Sequence, residues 1–424
     1  MLETPSLADP FPSQCDGQGK GPNPPVRPAA GPEVEQPAPT DPAQVTPETP
    51  LAALNLSWRE RDLPEHARTK HVHRLHPYLG KFIPQLVEVF LRKYFAPGQT
   101  VLDPFAGSGT TLVQANELGV HAIGYDVSAF NVLLCRAKLA RYDLDRVRRE
   151  VLDILEKVSR PDDGREAGRD VTAPGFEHSA AGYLRRWFHP RALRQLLTYR
   201  RLIETEGYAY GDLLKIILSR AARSARLVAH FELDFPKHPQ RGPYWCHKHA
   251  RMCAPTTDAL KFLRRYSTDT LERVAAYARV RTGAWAAVYH ADSRRTAFPP
   301  VDGVITSPPY VGLIDYHAQH AYAYYLLGLE ERRGDEIGSP NGGAGQPARE
   351  RYQREIAQVF EHALAAMPSG GRLIVVAADR ARLYPAIAAR LGVEQEAILH
   401  RDVSRRTGRR AQAFGESIFI WRKP

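Results

Sequence analysis

The stretch Thr100-Val101-Leu102-Asp103-Pro104-Phe105-Ala106-Gly107-Ser108-Gly109-Thr110-Thr111 constrains this chain more than any other. A short apolar run ends in an acid, a turn holding two glycines follows, and Thr110 to Leu118 has helical spacing. Doubly wound α/β sheets bind nucleotides on such a strand, tight turn and helix, at the carboxyl end of the strand. The glycines let backbone approach a ligand closely, and the helix N-terminus favours an anionic group such as a carboxylate. No lysine precedes Thr110 and the glycines do not follow the GxGxxG spacing, so phosphate binding is disfavoured. A second strand, His121 to Tyr125, ends at Asp126, 23 residues after Asp103. An acid at this spacing is placed to accept both hydroxyls of a ribose, although Asp126 by itself reads as well as a helix cap.

A second punctuated stretch, Thr306-Ser307-Pro308-Pro309-Tyr310, leaves the apolar run Val304-Ile305. Consecutive prolines fix φ and remove two backbone donors, so the turn presents carbonyls, one hydroxyl and one aromatic ring. That set suits a planar amine. Taken alone, the five residues also read as an ordinary end to a strand. A strand over 301–306 would deliver them to the same sheet edge as the glycine loop.

With both stretches in view, the chain resembles the S-adenosylmethionine-dependent amino-methyltransferases of DNA. Asp103 to Thr111 is similar to their motif I, and Ser307 to Tyr310 to their motif IV in its serine form, associated with N4-cytosine methylation. His76-Pro77-Tyr78-Leu79-Gly80-Lys81-Phe82-Ile83-Pro84 resembles motif X, which in this family packs beside the methionine end of the cofactor. The resemblance covers about residues 70–140 and 288–424, in the motif order of the α type. It implies an α/β fold with a Rossmann-like methyltransferase sheet, mostly parallel and closed by an antiparallel hairpin. It also implies cofactor contacts from Lys81, Phe82, Asp103, Pro104, Phe105, Ala106, Gly107, Gly109, Thr110 and Asp126, and an adenine contact from Asp292. Ser307, Pro308, Pro309 and Tyr310 are the implied catalytic turn.

The implied chemistry is direct. The Pro308 carbonyl and the Ser307 hydroxyl accept the two protons of a cytosine amine, Tyr310 stacks on the ring, and the localised lone pair attacks the sulfonium methyl in line. The base is flipped out of duplex DNA, at a cost of a few kcal/mol. A C5-cytosine enzyme would need a cysteine beside a proline in its motif, and no cysteine here has that setting. N6-adenine methylation is the alternative reaction, although its enzymes usually carry Asp or Asn where Ser307 stands. An inactive nucleic-acid-binding protein on the same fold is the alternative from another class.

Residues 1–50 hold 13 of the 34 prolines and are expected to form a disordered tail. The catalytic domain is then 51–140 with 288–424, and 141–287 is an insertion. Apolar spacing there predicts helices over 144–158, 192–206, 213–228 and 258–281. From Tyr183 to Arg281 there are 20 Lys/Arg against 8 Asp/Glu, so the segment accounts for the +11 of the whole chain. Tyr183, Trp187, Phe188, Tyr199, Phe231, Phe235, Tyr244 and Trp245 are interleaved with this charge. The insertion is therefore the expected target-recognition region, with duplex DNA as partner.

Downstream, Ile314 to Leu327 reads as a helix whose Asp315, Tyr316, His317 and His320 are candidates to line the pocket. Residues 332–348 read as a mobile loop, a lid or a DNA contact. Arg405, Arg406, Arg409 and Arg410 offer phosphate contacts between two closing strands. Cys246, His249 and Cys253 form one metal constellation, with His247 or His238 as fourth ligand. Without a paired CxxC, plain buried thiols are the favoured reading over structural zinc. The four cysteines build no disulfide framework, and no run of about 18 apolar residues or signal peptide is present. A cytoplasmic, nucleoid-associated protein is expected, with a cognate restriction endonuclease as a further partner.

Overall fold

In a computed structural model, the described residues are 38–160, 178–234, 236–312, 315–339, 342–343, 345–403 and 414–424. The strands among them are β1 (Thr100–Asp103), β2 (His121–Asp126), β3 (Tyr244–Cys246), β4 (Arg251–Cys253) and β5 (Ala286–His290). They continue with β6 (Gly303–Thr306), β7 (Arg372–Ala377), β8 (Glu394–Val403) and β9 (Phe414–Arg422). The helices are α1 (Glu65–Arg68), α2 (Pro84–Tyr94), α3 (Thr110–Glu117), α4 (Ala129–Leu139), α5 (Leu144–Ser159) and α6 (His178–Trp187). They are followed by α7 (Pro190–Thr205), α8 (Gly211–Ala225), α9 (Leu260–Ala278), α10 (Tyr316–Leu327), α11 (Gln346–Ala366) and α12 (Tyr384–Leu391).

Seven strands form one sheet in the order β5-β2-β1-β6-β7-β9-β8. The neighbours from β5 to β7 are parallel, and β9 runs antiparallel to both β7 and β8. Parallel strands need crossover connections, which leave all their carboxyl ends on one edge. Asp103, Asp126, His290 and Thr306 therefore finish on the same side. Chain order reverses between β1 and β6, the switch point where open α/β sheets form a crevice.

The parallel strands are buried on both faces, so their sequences are continuous apolar runs rather than alternations. Val101, Ile305, Ile374 and Ile420 face one layer, built with Leu86 and Phe90 of α2 and Leu112 of α3. Leu102, Val304, Leu373 and Trp421 face the opposite layer, with Ile356 and Phe360 of α11 and Ile387 of α12. Neighbouring residues point to opposite faces, as strand geometry requires.

Two expectations are revised. Order begins by residue 38, inside the segment assigned to the tail: Thr40 N donates to the Asn55 carbonyl at 2.9 Å, Trp58 Nε1 donates to the Thr40 carbonyl at 2.9 Å, and Val45 is buried. Residues 1–37 lie outside the described residues, as do Phe235, Ile314, Arg405, Arg406, Arg409 and Arg410. The inserted helices do not build a core of their own. Leu196 of α7 and Leu213 and Ile217 of α8 share one apolar cluster with Phe130 and Leu134 of α4 and Tyr322 of α10. The second revision concerns 333–337, expected in a mobile loop: Arg294 Nη2 donates to the Asp335 carbonyl at 3.0 Å, and Ile337 is buried.

Candidate functional site

The cleft at the switch point is built first by the glycine loop. Gly107 and Gly109 have φ of +50° and +75°, a region that costs other residues about 1–2 kcal/mol. A Cβ on Gly109 would also lie 2.8 Å from Cys135 Sγ, so this turn tolerates only glycine. Beneath the loop, the buried Lys138 donates from Nζ to the Ser108 carbonyl at 2.5 Å, and burial pushes its amine down to about 8.

Asp103 closes β1 and is buried. It accepts from the Thr306 hydroxyl at 2.6 Å and from Phe105 N at 3.1 Å. Burial outweighs these bonds and raises its carboxyl to about 6. Asp126 closes β2 and accepts from Gly107 N and Ser128 N, both at 2.8 Å, while the Asn131 amide is shared between its two oxygens at 3.1 Å each. Burial again dominates and raises Asp126 to about 6. Its carboxylate thus orders the glycine loop whatever else it binds.

A cavity of about 880 Å³, open mouth included, is lined by Lys81, Phe82, Asp103, Pro104, Phe105, Ala106, Gly107, Thr110, Asp126, Asp292, Ser307 and Pro309. These are twelve of the fifteen positions singled out from the sequence as cofactor-binding or catalytic. Gly109 instead shapes the turn from behind, Pro308 is buried, and Tyr310 lines the neighbouring groove. Lys81 reaches away from the cavity, donating from Nζ to the His73 carbonyl at 2.6 Å. Asp292 is held by Arg294, with Nη2 to Oδ2 at 2.8 Å and Nε to Oδ1 at 3.0 Å, and the guanidinium lowers its carboxyl against the opposing effect of burial.

Several lining residues escaped the sequence reading: Ser128, Asn131, Ser293, Asp335, Glu336 and Ile337. Ser128 and Asn131 follow Asp126 by two and five residues, a proximity that could have marked them. Glu336 carried no such signal, because only the return of its loop onto the sheet edge brings it near. Tyr78 lies within the segment likened to motif X; its hydroxyl would be 3.4 Å from a Cβ on Gly107, and its ring stacks on Tyr316. Of the four candidates around α10, Tyr316 alone lines the cleft. Asp315 caps the helix by accepting from Ala318 N at 2.8 Å, and His317 Nδ1 pairs with Glu336 at 2.6 Å. His320 stacks on Phe130 at 4.5 Å, where burial pushes it down to about 4.

The Ser-Pro-Pro-Tyr turn is clamped from behind. The Tyr352 hydroxyl donates to the Pro309 carbonyl at 2.9 Å and contacts the Tyr384 hydroxyl at 2.9 Å. On its other side the Tyr310 hydroxyl donates to Glu416 Oε1 at 3.2 Å, and Glu416 lies 3.0 Å from the buried Arg401. Beyond Tyr310 opens a groove of about 2600 Å³, open mouth included, whose walls include Arg74, Arg223, Lys248, Arg265 and Arg401. Tyr78, Gly80 and Lys81 line both cavities, so they share a wall.

The fourth member of the metal constellation is neither His247 nor His238. His230 joins Cys246, His249 and Cys253, with one ligand atom from each within 4.8 Å of the others. Sequence spacing could not find it, since His230 arrives from the segment after α8. No helix among the described residues is long and apolar enough to cross a membrane.

Comparison with known proteins agrees with this geometry. The family model described as DNA methylase, of the N6/N4 type, matches residues 39–134. The type II methyltransferase M.MjaII of Methanocaldococcus jannaschii is 32% identical over 430 residues, covering 84% of this chain and 81% of that one. The type II methyltransferase M.BsoBI of Geobacillus stearothermophilus is 21% identical over 293 residues, 64% of this chain and 55% of its own. Among solved structures, the rRNA methyltransferase aviRa of Streptomyces viridochromogenes aligns over 82% of this chain and 87% of its own at 14% identity, with a TM-score of 0.30, too low to inform the site. The glycine loop and the Ser-Pro-Pro-Tyr turn on one sheet edge, with identity that runs through most of both chains, make this protein a member of the N6/N4 family of type II DNA methyltransferases.

Proposed function

We propose that the protein methylates the exocyclic N4 amine of a cytosine flipped out of a specific site in duplex DNA. Ser307 carries the reading: where the turn meets the cleft, this residue offers a neutral hydroxyl instead of Asp or Asn. The family's methyl donor is S-adenosylmethionine, which when bound supplies an electrophilic methyl on a sulfonium. The cleft fits that group. Asp103, Asp126, Asp292, Asp335 and Glu336 line it, while the Lys81 ammonium is turned to the His73 carbonyl, a balance that suits a cationic ligand and disfavours a polyphosphate.

The chain's own residues then have distinct tasks. Asp126 accepts the ribose hydroxyls in place of the divided Asn131 bond. Phe82, Phe105 and Ile337 supply apolar walls. Ser307 and the Pro308 carbonyl accept the amine protons and localise the lone pair, so the base needs no covalent attachment to attack. Tyr310 stacks on the ring where cleft and groove meet. The exposed Arg74, Arg265 and Lys248 along the groove hold phosphates, as expected for the positioning contribution in DNA binding. A type II restriction endonuclease of the same specificity is the corresponding partner.

Digestion of methylated plasmid to nucleosides, followed by mass spectrometry, tests the reading. N4-methylcytosine is expected. N6-methyladenine alone would reassign the acceptor, and unmodified DNA that the protein nonetheless binds would support the inactive alternative.

A further inference from the structure

A small antiparallel hairpin, β3 and β4, stands on one flank of the groove. Its ladder pairs Tyr244 with Cys253, Trp245 with Met252 and Cys246 with Arg251. Two strands of three residues bury too little to be stable alone. Trp245 and Met252 remain 52% and 59% exposed, and Ala250 in the connecting turn has φ of +48°, a conformation unfavourable for a residue with a Cβ. The packing the hairpin has comes from the segment after α8, where His230 and Phe231 meet the Tyr244 ring edge-on and His230 N donates to the Tyr244 hydroxyl at 3.1 Å; a further tie is on offer.

The inner side of the hairpin supplies it. Cys246 Sγ lies 3.5 Å from His249 Nδ1 and 3.8 Å from His230 Nδ1, and Cys253 Sγ lies 3.5 Å from the same His249 Nδ1. Both thiols are buried. Hydrogen bonding does not account for the arrangement. One imidazole nitrogen has a single in-plane lone pair or a single N–H, so it cannot serve two thiols at equal distance. A central cation serves all four groups. With Zn–S near 2.3 Å and Zn–N near 2.05 Å, the S to N edge of a tetrahedron is about 3.6 Å, which the three contacts bracket.

We propose that His230, Cys246, His249 and Cys253 bind one zinc ion that clamps the hairpin to the segment following α8. Two thiolates and two imidazoles in a closed tetrahedral set select zinc among the common divalent ions. Binding releases both thiol protons to solvent. The clamp has a firm anchor, because Arg226 Nη2 donates to the Leu233 carbonyl at 2.5 Å and Arg223 pairs with Asp234 at 2.5 Å. Through this anchor the ion fixes Lys248 and His249 as part of the wall of the groove that Tyr310 also lines.

Elemental analysis of the full chain, purified without metal-affinity resin, is the direct test, with one zinc per chain as the expected result. Exchange with cobalt(II) should produce thiolate-to-metal charge transfer together with the intense visible bands of tetrahedral cobalt. His230→Ala and Cys253→Ser should lower the zinc content severalfold, whereas His247→Ala and His238→Ala should keep it. Folded wild-type protein without zinc overturns the assignment, as does Cys246 joined to Cys253 in a disulfide. Retention of full zinc by His230→Ala with loss in His247→Ala overturns the ligand set.

Discussion

Thr306 donates from its hydroxyl to Asp103 at 2.6 Å, so the residue just before Ser307 is bonded to the acid that opens the glycine loop. The two turns that carry the proposed chemistry are thereby joined across adjacent parallel strands. Thr306→Val keeps the shape and removes the donor, leaving a buried carboxyl oxygen short of a partner. Urea unfolding should show a loss of about 1–3 kcal/mol with an unchanged dependence on denaturant.

Ser307→Ala removes the proposed acceptor for the amine, a hydroxyl that also interacts with Tyr310. Turnover should fall by roughly 10²–10³, in line with the loss of one aligned hydrogen bond in a transition state. Cofactor affinity, measured by calorimetry, should stay close to that of the wild type. An unchanged turnover would remove Ser307 from the catalytic turn.

Asp126→Ala should weaken cofactor binding instead. The pH dependence has a definite sign, because burial raises this carboxyl from 3.8 to about 6. Cofactor affinity should decline as pH falls through about 6, where the carboxylate takes up its proton. The apoprotein should behave in the opposite sense for this group. A carboxyl with a raised pKa opposes folding most when ionised, and that cost fades as pH drops. Asp103 is raised to a similar value and contributes with the same sign to stability. Calorimetry on Asp126→Asn should show a flatter pH profile than the wild type.

The Arg401–Glu416 pair behind Tyr310 is nearly excluded from solvent, at 4% and 9% side-chain exposure. Glu416→Ala would strand a buried guanidinium and should cost about 3–5 kcal/mol in thermal or urea unfolding. Glu416→Gln should cost less. Tyr310→Phe, which keeps the ring and loses the hydroxyl bonded to Glu416, should retain most activity, whereas Tyr310→Ala should lose the stacking surface and most of the turnover.

Gly109→Ala combines a left-handed backbone with a 2.8 Å approach to Cys135 Sγ. It should destabilise the fold by more than the 1–2 kcal/mol expected of the backbone alone, as roughly estimated for that conformation. Adding Cys135→Ala should recover the steric part only, and a double-mutant cycle in urea would separate the two contributions.

The parallel strands and the glycine loop could be read from sequence because each is local. Asp103, Gly107 and Gly109 carry their geometry in nine contiguous residues, and Val101 and Leu102 advertise burial on both faces. What stayed hidden depends on distant segments meeting. His230 is 16 residues from Cys246 and joins it only through the turn after α8. Glu336 reaches the cleft by a loop that composition marks as mobile. The 38–50 segment reads as tail because prolines dominate it, yet the Thr40–Asn55 and Thr40–Trp58 bonds hold it.

Phe130 and Leu134 of α4, the helix that supports the glycine loop, lie in one apolar cluster with the inserted helices α7 and α8. The half expected to choose the DNA site therefore cannot be exchanged between relatives as a cassette, because removing it would expose the floor of the catalytic half. A new target sequence would have to be acquired by substitutions on the groove side of helices whose inner sides are already committed.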